Sequence, residues 1–348
     1  MTSRLGNWAR EIRAPFLTAS ILPVLLGTAV AYAKFGVFYW DIFLLALVGG
    51  MCLHIGANVA NDYFDYKSGT DNINVEYVRP FTGGSRMIQE GLMTPREVFA
   101  EAMVFYAIAL VIGIYLALTR GFIVIVLGII GMFSGFFYTA PPIDLAKRGI
   151  GELFIGLNFG ILMTLGAYFV QVQHLAWEPA LAAVPLAILI ATLLYINEFQ
   201  DYKADKAAGK RHLVVRLGRK HASKGHAGLL GSVYVFILVS VALGWISPFN
   251  LIVLLTLPLA ITSIRYSRDF YSDSFKIVPA NASTIQIHMV TGILMTLAYL
   301  MAAFPTQTWV AFTIIVLVTA FIMFVISNRL EAIREMPTPP KEAGSQIS

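Results

Sequence analysis

Long unbroken apolar runs, separated by short turns or polar loops, dominate the chain. Ten of them approach the roughly 20 residues a helix needs to cross hydrocarbon. They cover 15–34, 39–61, 98–118, 121–139, 152–173, 179–199, 227–246, 248–265, 284–304 and 308–328. The runs are continuous and do not alternate at period two, which predicts helices and argues against a strand-built barrel. The expected fold class is therefore all-α, a polytopic membrane bundle of nine to ten transmembrane helices. Residues 1–328 read as a single integral-membrane domain. Residues 329–348, rich in Pro, Lys and Ser, read as a disordered tail. The first run has a basic start and small residues at Ala29, Ala31 and Ala33, as a signal peptide would. It exceeds a signal core in length and leads into further spans, so it is retained as a membrane helix.

Composition agrees. Hydrophobic residues make up 57% of the chain and charged residues only 13%, against roughly 25% charged in soluble domains. The net charge of +5 does not indicate nucleic acid. With a cytoplasmic N-terminus, all but two of the 25 Lys and Arg fall on the cytoplasmic side, the exceptions being Lys34 and Arg120. That asymmetry is the positive-inside pattern for ten spans with both termini cytoplasmic. The lone Cys52 excludes an internal disulfide and reads as a small packing residue.

The long polar connections, 62–97 and 200–226, each open on an acidic box. The first box is Asn61-Asp62-Tyr63-Phe64-Asp65-Tyr66-Lys67 and the second Asn197-Glu198-Phe199-Gln200-Asp201-Tyr202-Lys203. Acids close to hydrocarbon are costly and mark function by default. A lone Asp at a helix end is ordinarily a solvated terminus, but two matching boxes in equivalent topological places point to two halves of one site. If both lie on helix ends, Asn61 and Asp65 share one face, as do Asn197, Asp201 and Asp205. Oxygen-only clusters suit Mg²⁺, which takes one or two carboxylates together with phosphate oxygens. No His or Cys stands at metal-ligand spacing along the chain, which argues against Zn²⁺. Basic residues follow both boxes and fit the remaining oxygens of a diphosphate.

At these residues the chain resembles the UbiA superfamily of membrane prenyltransferases. The first box with Asp71 is similar to that superfamily's N-D-x-x-D motif. Asp201-x-x-x-Asp205, followed by Lys206, Gly209 and Lys210, is similar to its second motif. The string Asn61 to Asp71 further resembles the dihydroxynaphthoate polyprenyltransferase branch of menaquinone synthesis, and Tyr138 to Pro142, leading to Lys147, resembles the family's helix-four to helix-five segment. Glu198 departs from the pattern, which often has a neutral polar residue there. The resemblance implies helices around a central cavity open towards the cytoplasmic side of a prokaryotic cell membrane. It implies Mg²⁺-dependent transfer of a polyprenyl group from its diphosphate to a small aromatic acceptor. With 1,4-dihydroxy-2-naphthoate as acceptor, diphosphate and CO₂ leave and demethylmenaquinone results.

Carried onto this chain, the metal ligands and catalytic acids are Asp62, Asp65, Asp201 and Asp205. Asn61 and Asn197 become neutral ligands or orienters. Lys67, Arg79, Arg86, Lys147, Lys206, Lys210 and Arg211 are candidate substrate-binding groups. Gly83-Gly84-Ser85-Arg86 reads equally as a diphosphate-facing loop or a flexible turn. Tyr138 is a candidate to face the allylic cation, with Tyr63, Tyr66, Tyr195 and Tyr202 behind it. His54 reads as a packed histidine, His288 as similar or cavity-lining, and His212, His221 and His226 as solvated members of a basic loop.

Other acceptors remain open, including 4-hydroxybenzoate, homogentisate and a glycerol-phosphate lipid. A CDP-alcohol phosphotransferase would carry its acids in a single box. A cation-coupled transporter would carry them at span centres.

Overall fold

The computed structural model describes residues 4–74, 76–79, 82–304, 310, 313–322 and 325. Described helices are α1 (Arg4–Glu11), α2 (Thr18–Phe35), α3 (Trp40–Ser68), α4 (Thr70–Ile73), α5 (Pro95–Arg120) and α6 (Ile123–Phe136). Then come α7 (Gly151–Gly156), which runs through a π-helical turn (Leu157–Leu162) into α8 (Met163–Val172), and α9 (Trp177–Ala207). The last are α10 (Leu213–Leu217), α11 (Arg219–Ala242), α12 (Leu257–Asp269), entered through a 3₁₀ turn (Pro248–Thr256), and α13 (Val278–Ala303). Eight helical segments are long and apolar enough to cross a membrane; α6 and Thr313–Ile322 are shorter apolar helices. All ten expected runs thus have a helical counterpart, although the tenth is only partly described and the tail after 325 lies outside the described residues.

The boundaries shift in one respect that matters. Both boxes were expected to open loops, but α3 continues to Ser68 and α9 to Ala207. The boxes occupy the final helical turns, so their polar side chains project from fixed, rigid positions. Each helix then stops at a defined signal. Gly69 ends α3 with φ 79°. After α9, Gly209 (φ 78°) donates to Lys206 O at 3.3 Å and Lys210 N donates to Asp205 O at 2.8 Å. This is a Schellman closure, which needs a left-handed residue at Gly209 and turns the chain back over the helix end. The start of α5 is equally explicit. Thr94 and Glu97 form a reciprocal capping box ahead of its apolar face.

A principal core joins α2, α9, α11, α12 and α13 through Leu26, Leu186, Leu230, Leu259, Ile287 and Met295. A second core joins α3 to α5 through Val59, Ala60, Val98 and Ala102, with Met87 and Met93 packed over it. Small residues allow the closest helix approaches, as packing between membrane helices requires. A Cβ on Gly27 of α2 would lie 2.2 Å from Thr164 O of α8. Gly27→Val is therefore expected to lose about 1–3 kcal/mol or more through overpacking, read as a lowered unfolding midpoint in detergent; an unchanged midpoint would show that this crossing relaxes freely.

At the end remote from the boxes, exposed Trp40 and Trp177 open α3 and α9, as aromatic residues do at a bilayer interface. The two basic residues assigned to that side are both engaged there. Arg120 donates to the α8 carbonyls of Val170 (2.5 Å) and Gln171 (2.7 Å), and Lys34 pairs with Glu178.

Candidate active site

The two box helices converge on the head of one cavity of about 830 Å³. Asn61, Asp65, Asp71 and Asn74 line it from one side, and Asn197, Glu198, Asp201, Asp205 and Lys210 from the other. Deeper in, the walls become apolar, with Leu53, Ile112, Leu127, Phe159, Leu162 and Met163. A polar head continuous with a long apolar body fits an amphiphile with an anionic end.

Lys210 ties the halves together. Its Nζ lies 2.9 Å from Asp65 Oδ1 and 3.3 Å from Asp205 Oδ1. Burial opposes the charged ammonium, but Asp65 and Asp205 outweigh that cost and hold its pKa well above the ordinary lysine range. Asn61 donates to Asp65 Oδ2 at 3.3 Å, leaving its own Oδ1 buried and unpartnered. Asn74 crosses to the second box and donates to Asp201 Oδ1 at 2.6 Å. Asn281 of α13 orients Asn197 by donating to its Oδ1 at 2.8 Å. Asp71 accepts from Gln89 at 2.8 Å. Burial first, then the Asp65 and Asp62 charges, pushes the Asp71 carboxyl up to about 8.

Asp62 stands apart, because one residue along a helix turns the side chain by about 100°. It accepts from Ser85 N at 3.0 Å and lies 4.0 Å from Arg13, away from the cavity lining. Its contacts anchor the Gly83–Arg86 loop. Gly84 there has φ 66°, and a Cβ on it would lie 2.7 Å from Asp62 Oδ1, so the loop approaches this carboxylate only because a glycine is present.

The remaining basic candidates lie outside the cavity lining. Lys67 is exposed over the Tyr63 ring, and Lys206 over Tyr202. Arg79 pairs with Glu90, Lys147 with Asp144 at 2.8 Å, and Arg211 is exposed. Arg86 stacks on Tyr77 and donates to Asp71 O at 3.2 Å, holding the first loop from behind. Tyr138 lines the cavity; Tyr63, Tyr66, Tyr195 and Tyr202 are not among its lining residues.

Two histidines expected in solvent are buried. His226 packs between α11, α12 and α13, with Ser267 Oγ at 3.0 Å. His212 lies between Glu198 Oε2 (3.1 Å, to Nδ1) and Asp205 Oδ2 (3.2 Å, to Nε2). Burial opposes its charge, yet Glu198 and Asp205 bring the imidazole pKa up to about 10. Glu198, the residue that departs from the family pattern, also lines the cavity. Arg13, Asn74 and His212 have no motif signal; the chain brings them to the site only by folding back over the helix ends. His54 is packed as expected, with Ser20 Oγ at 3.2 Å and Phe159 edge-on, and both it and His288 line the cavity.

A membrane-helix bundle whose paired acidic helix ends share the polar head of an apolar cavity forms an intramembrane site with a polar head and an apolar body. Residues 20–285 match the model of the UbiA prenyltransferase family, and the chain belongs to that family. It is an integral membrane prenyltransferase. It is 28% identical to the 1,4-dihydroxy-2-naphthoate octaprenyltransferase of Bacillus subtilis, over 83% of this chain and 90% of the relative. It is 32% identical to the Mycobacterium tuberculosis protein of the same name, over 74% and 84%. A solved UbiA homolog from Archaeoglobus fulgidus bound to DMAPP and Mg²⁺ shares the fold at TM-score 0.53 and 16% identity, over 83% of this chain and 99% of that one.

Proposed function

We propose that the protein transfers a polyprenyl group from polyprenyl diphosphate to 1,4-dihydroxy-2-naphthoate. The observation that carries this reading is the union of both acidic boxes, through Lys210, at the polar head of an otherwise apolar cavity. The names of the relatives support the acceptor. The excess of basic residues on the box side supports a cytoplasmic entrance for both substrates.

The donor set fits Mg²⁺: the facing groups are carboxylate and amide oxygens, and Asn61 Oδ1 is buried without a partner. Asp65, Asp201 and Asp205 would hold the ion, with Asn61 and Asn197 as neutral oxygens, and Asp62 would serve by fixing the loop above. Bound there, Mg²⁺ supplies charge stabilisation to a departing diphosphate. The ammonium of Lys210 binds the same diphosphate and moves off Asp65 and Asp205 to do so. The apolar walls below keep water from the allylic carbon, and Tyr138 faces the positive charge that develops as the C–O bond breaks. The acceptor ring supplies the electron pair of the new C–C bond at the carbon bearing its carboxylate. Cleavage of the C–CO₂ bond returns its own electron pair to the ring and restores aromaticity, so the product released is demethylmenaquinol, the reduced form of demethylmenaquinone.

The test is purified protein with Mg²⁺, a polyprenyl diphosphate and an acceptor panel of 1,4-dihydroxy-2-naphthoate, 4-hydroxybenzoate and homogentisate. Prenylation of the naphthoate with one CO₂ per diphosphate is expected. Preference for another acceptor, or product that retains the carboxylate, would contradict the assignment.

A further inference from the structure

Behind the second box lies a cluster that diphosphate chemistry does not use. Glu152 at the start of α7, Glu198 of α9 and His212 ahead of α10 each offer one ligand atom, all within 4.8 Å of one another. All three residues are more than nine-tenths buried. Glu152 Oε2 has no hydrogen-bond partner, and Glu198 Oε2 and His212 Nδ1 have only their mutual charge contact. Buried polar atoms are normally paired, so the three convergent atoms call for an occupant.

The geometry suits a cation. Nδ1 and Glu198 Oε2 are 3.1 Å apart without the alignment of a hydrogen bond. Two ligands bound about 2.1 Å from one ion stand roughly 3.0–3.4 Å apart at octahedral or tetrahedral angles. The outer contacts orient the ligands as metal sites require. Glu152 Oε1 accepts from Leu213 N at 2.8 Å, leaving Oε2 free. His212 Nε2 faces Asp205 Oδ2 at 3.2 Å; a cation at Nδ1 would displace the proton there and leave the remaining ring proton on Nε2, towards Asp205. A cation on Nδ1 would complete a carboxylate–histidine–metal arrangement with Asp205. Glu198 and His212 also line the main cavity, which provides an entry path.

We infer that Glu152, Glu198 and His212 form a second divalent-cation site, distinct from the Asp65, Asp201 and Asp205 set although Glu198 belongs to the second box, and selective for Zn²⁺-type ions over Mg²⁺. An imidazole with two carboxylates is a donor set for a borderline ion, whereas Mg²⁺ prefers oxygen alone. The cation would fasten the start of α7, α9 and the 208–212 turn together, and through His212 hold Asp205 in the second box. Histidine spacing along the chain speaks against Zn²⁺, but Glu152, Glu198 and His212 come together from three separate segments.

The test uses tag-free full-length protein carrying D65N and D201N, so that the boxes themselves bind metal poorly. The protein is stripped with chelator, loaded with Zn²⁺ in excess Mg²⁺, freed of unbound metal and assayed by elemental analysis. One Zn²⁺ per chain is expected, together with a raised unfolding midpoint. Adding E152Q or H212Q should remove both effects, with helix content and elution volume confirming the fold. Absence of bound Zn²⁺ would mean that a proton occupies the cluster and His212 stands as an imidazolium between Glu198 and Asp205, overturning the inference. Equal Zn²⁺ in the E152Q and H212Q variants would overturn it as adventitious binding. Because the readout is metal content in a variant lacking Asp65 and Asp201, the outcome is independent of whether the prenyl-transfer assignment holds.

Discussion

Replacing Asp65 or Asp201 by Asn should reduce prenyl transfer by about 10³-fold or more, with the fold retained. Each carboxylate lines the polar head, and the pair is contributed by opposite halves of the bundle. Asn keeps size and one oxygen but removes the charge that a bound divalent cation needs. Stabilisation of several kcal/mol on the departing diphosphate corresponds to roughly this loss in rate. The effect should fall mainly on kcat, because the apolar chain still binds the cavity. Asp62→Asn is the internal contrast. Its carboxylate, not itself among the cavity-lining groups, faces Ser85 N and Arg13, so its loss should act through loop position and cost activity far less. Turnover of D65N within tenfold of wild type, in a protein with unchanged unfolding midpoint, would remove Asp65 from the metal site.

Lys210→Met should produce the second large effect, visible in stability as well as activity. The ammonium is buried between Asp65 and Asp205. Its removal leaves two buried carboxylates without their partner, a change that costs about 3–5 kcal/mol in comparable buried pairs. A divalent cation binds the same oxygens, so Mg²⁺ should return part of that stability by binding the folded state. Unfolding midpoints measured in EDTA and in Mg²⁺ test this directly. The deficit of the variant should be large in EDTA and clearly smaller in Mg²⁺, while turnover stays low in both. An equal, small deficit under both conditions would mean that Lys210 is solvated and not shared between the boxes.

The helices were legible in the sequence because burial in hydrocarbon demands unbroken apolar runs, and each run has a helical counterpart. The boxes were legible for the converse reason: Asp65 and Asp201 are conspicuous at the ends of such runs. Asp62 groups with them as a metal ligand in the sequence, and only the structure shows its side chain leaving the shared face for Ser85 N and Arg13. What could not be read was the folding of polar loops over the helix ends. Lys67, Arg79 and Arg211 look like Lys210 in a basic stretch, yet only Lys210 follows the Gly209 closure that turns it back onto both boxes. His212 resembled a solvated loop residue for the same reason, since nothing local shows that Glu152, sixty residues earlier, packs behind it. The apolar runs stop at the boxes because hydropathy falls there, while the helical hydrogen bonds carry α3 and α9 on through them, as the shared-face spacing of the box residues requires.

The central claim is that both boxes and Lys210 form one metal-dependent diphosphate head to the apolar cavity. It is tested most directly by measuring prenylated naphthoate and released diphosphate from purified, chelator-stripped protein before and after Mg²⁺ is added. No turnover without the ion, recovery in stoichiometric product and diphosphate on its addition, and no recovery in D65N or D201N are the predicted results. Turnover that persists in EDTA, or that both variants retain, would contradict it.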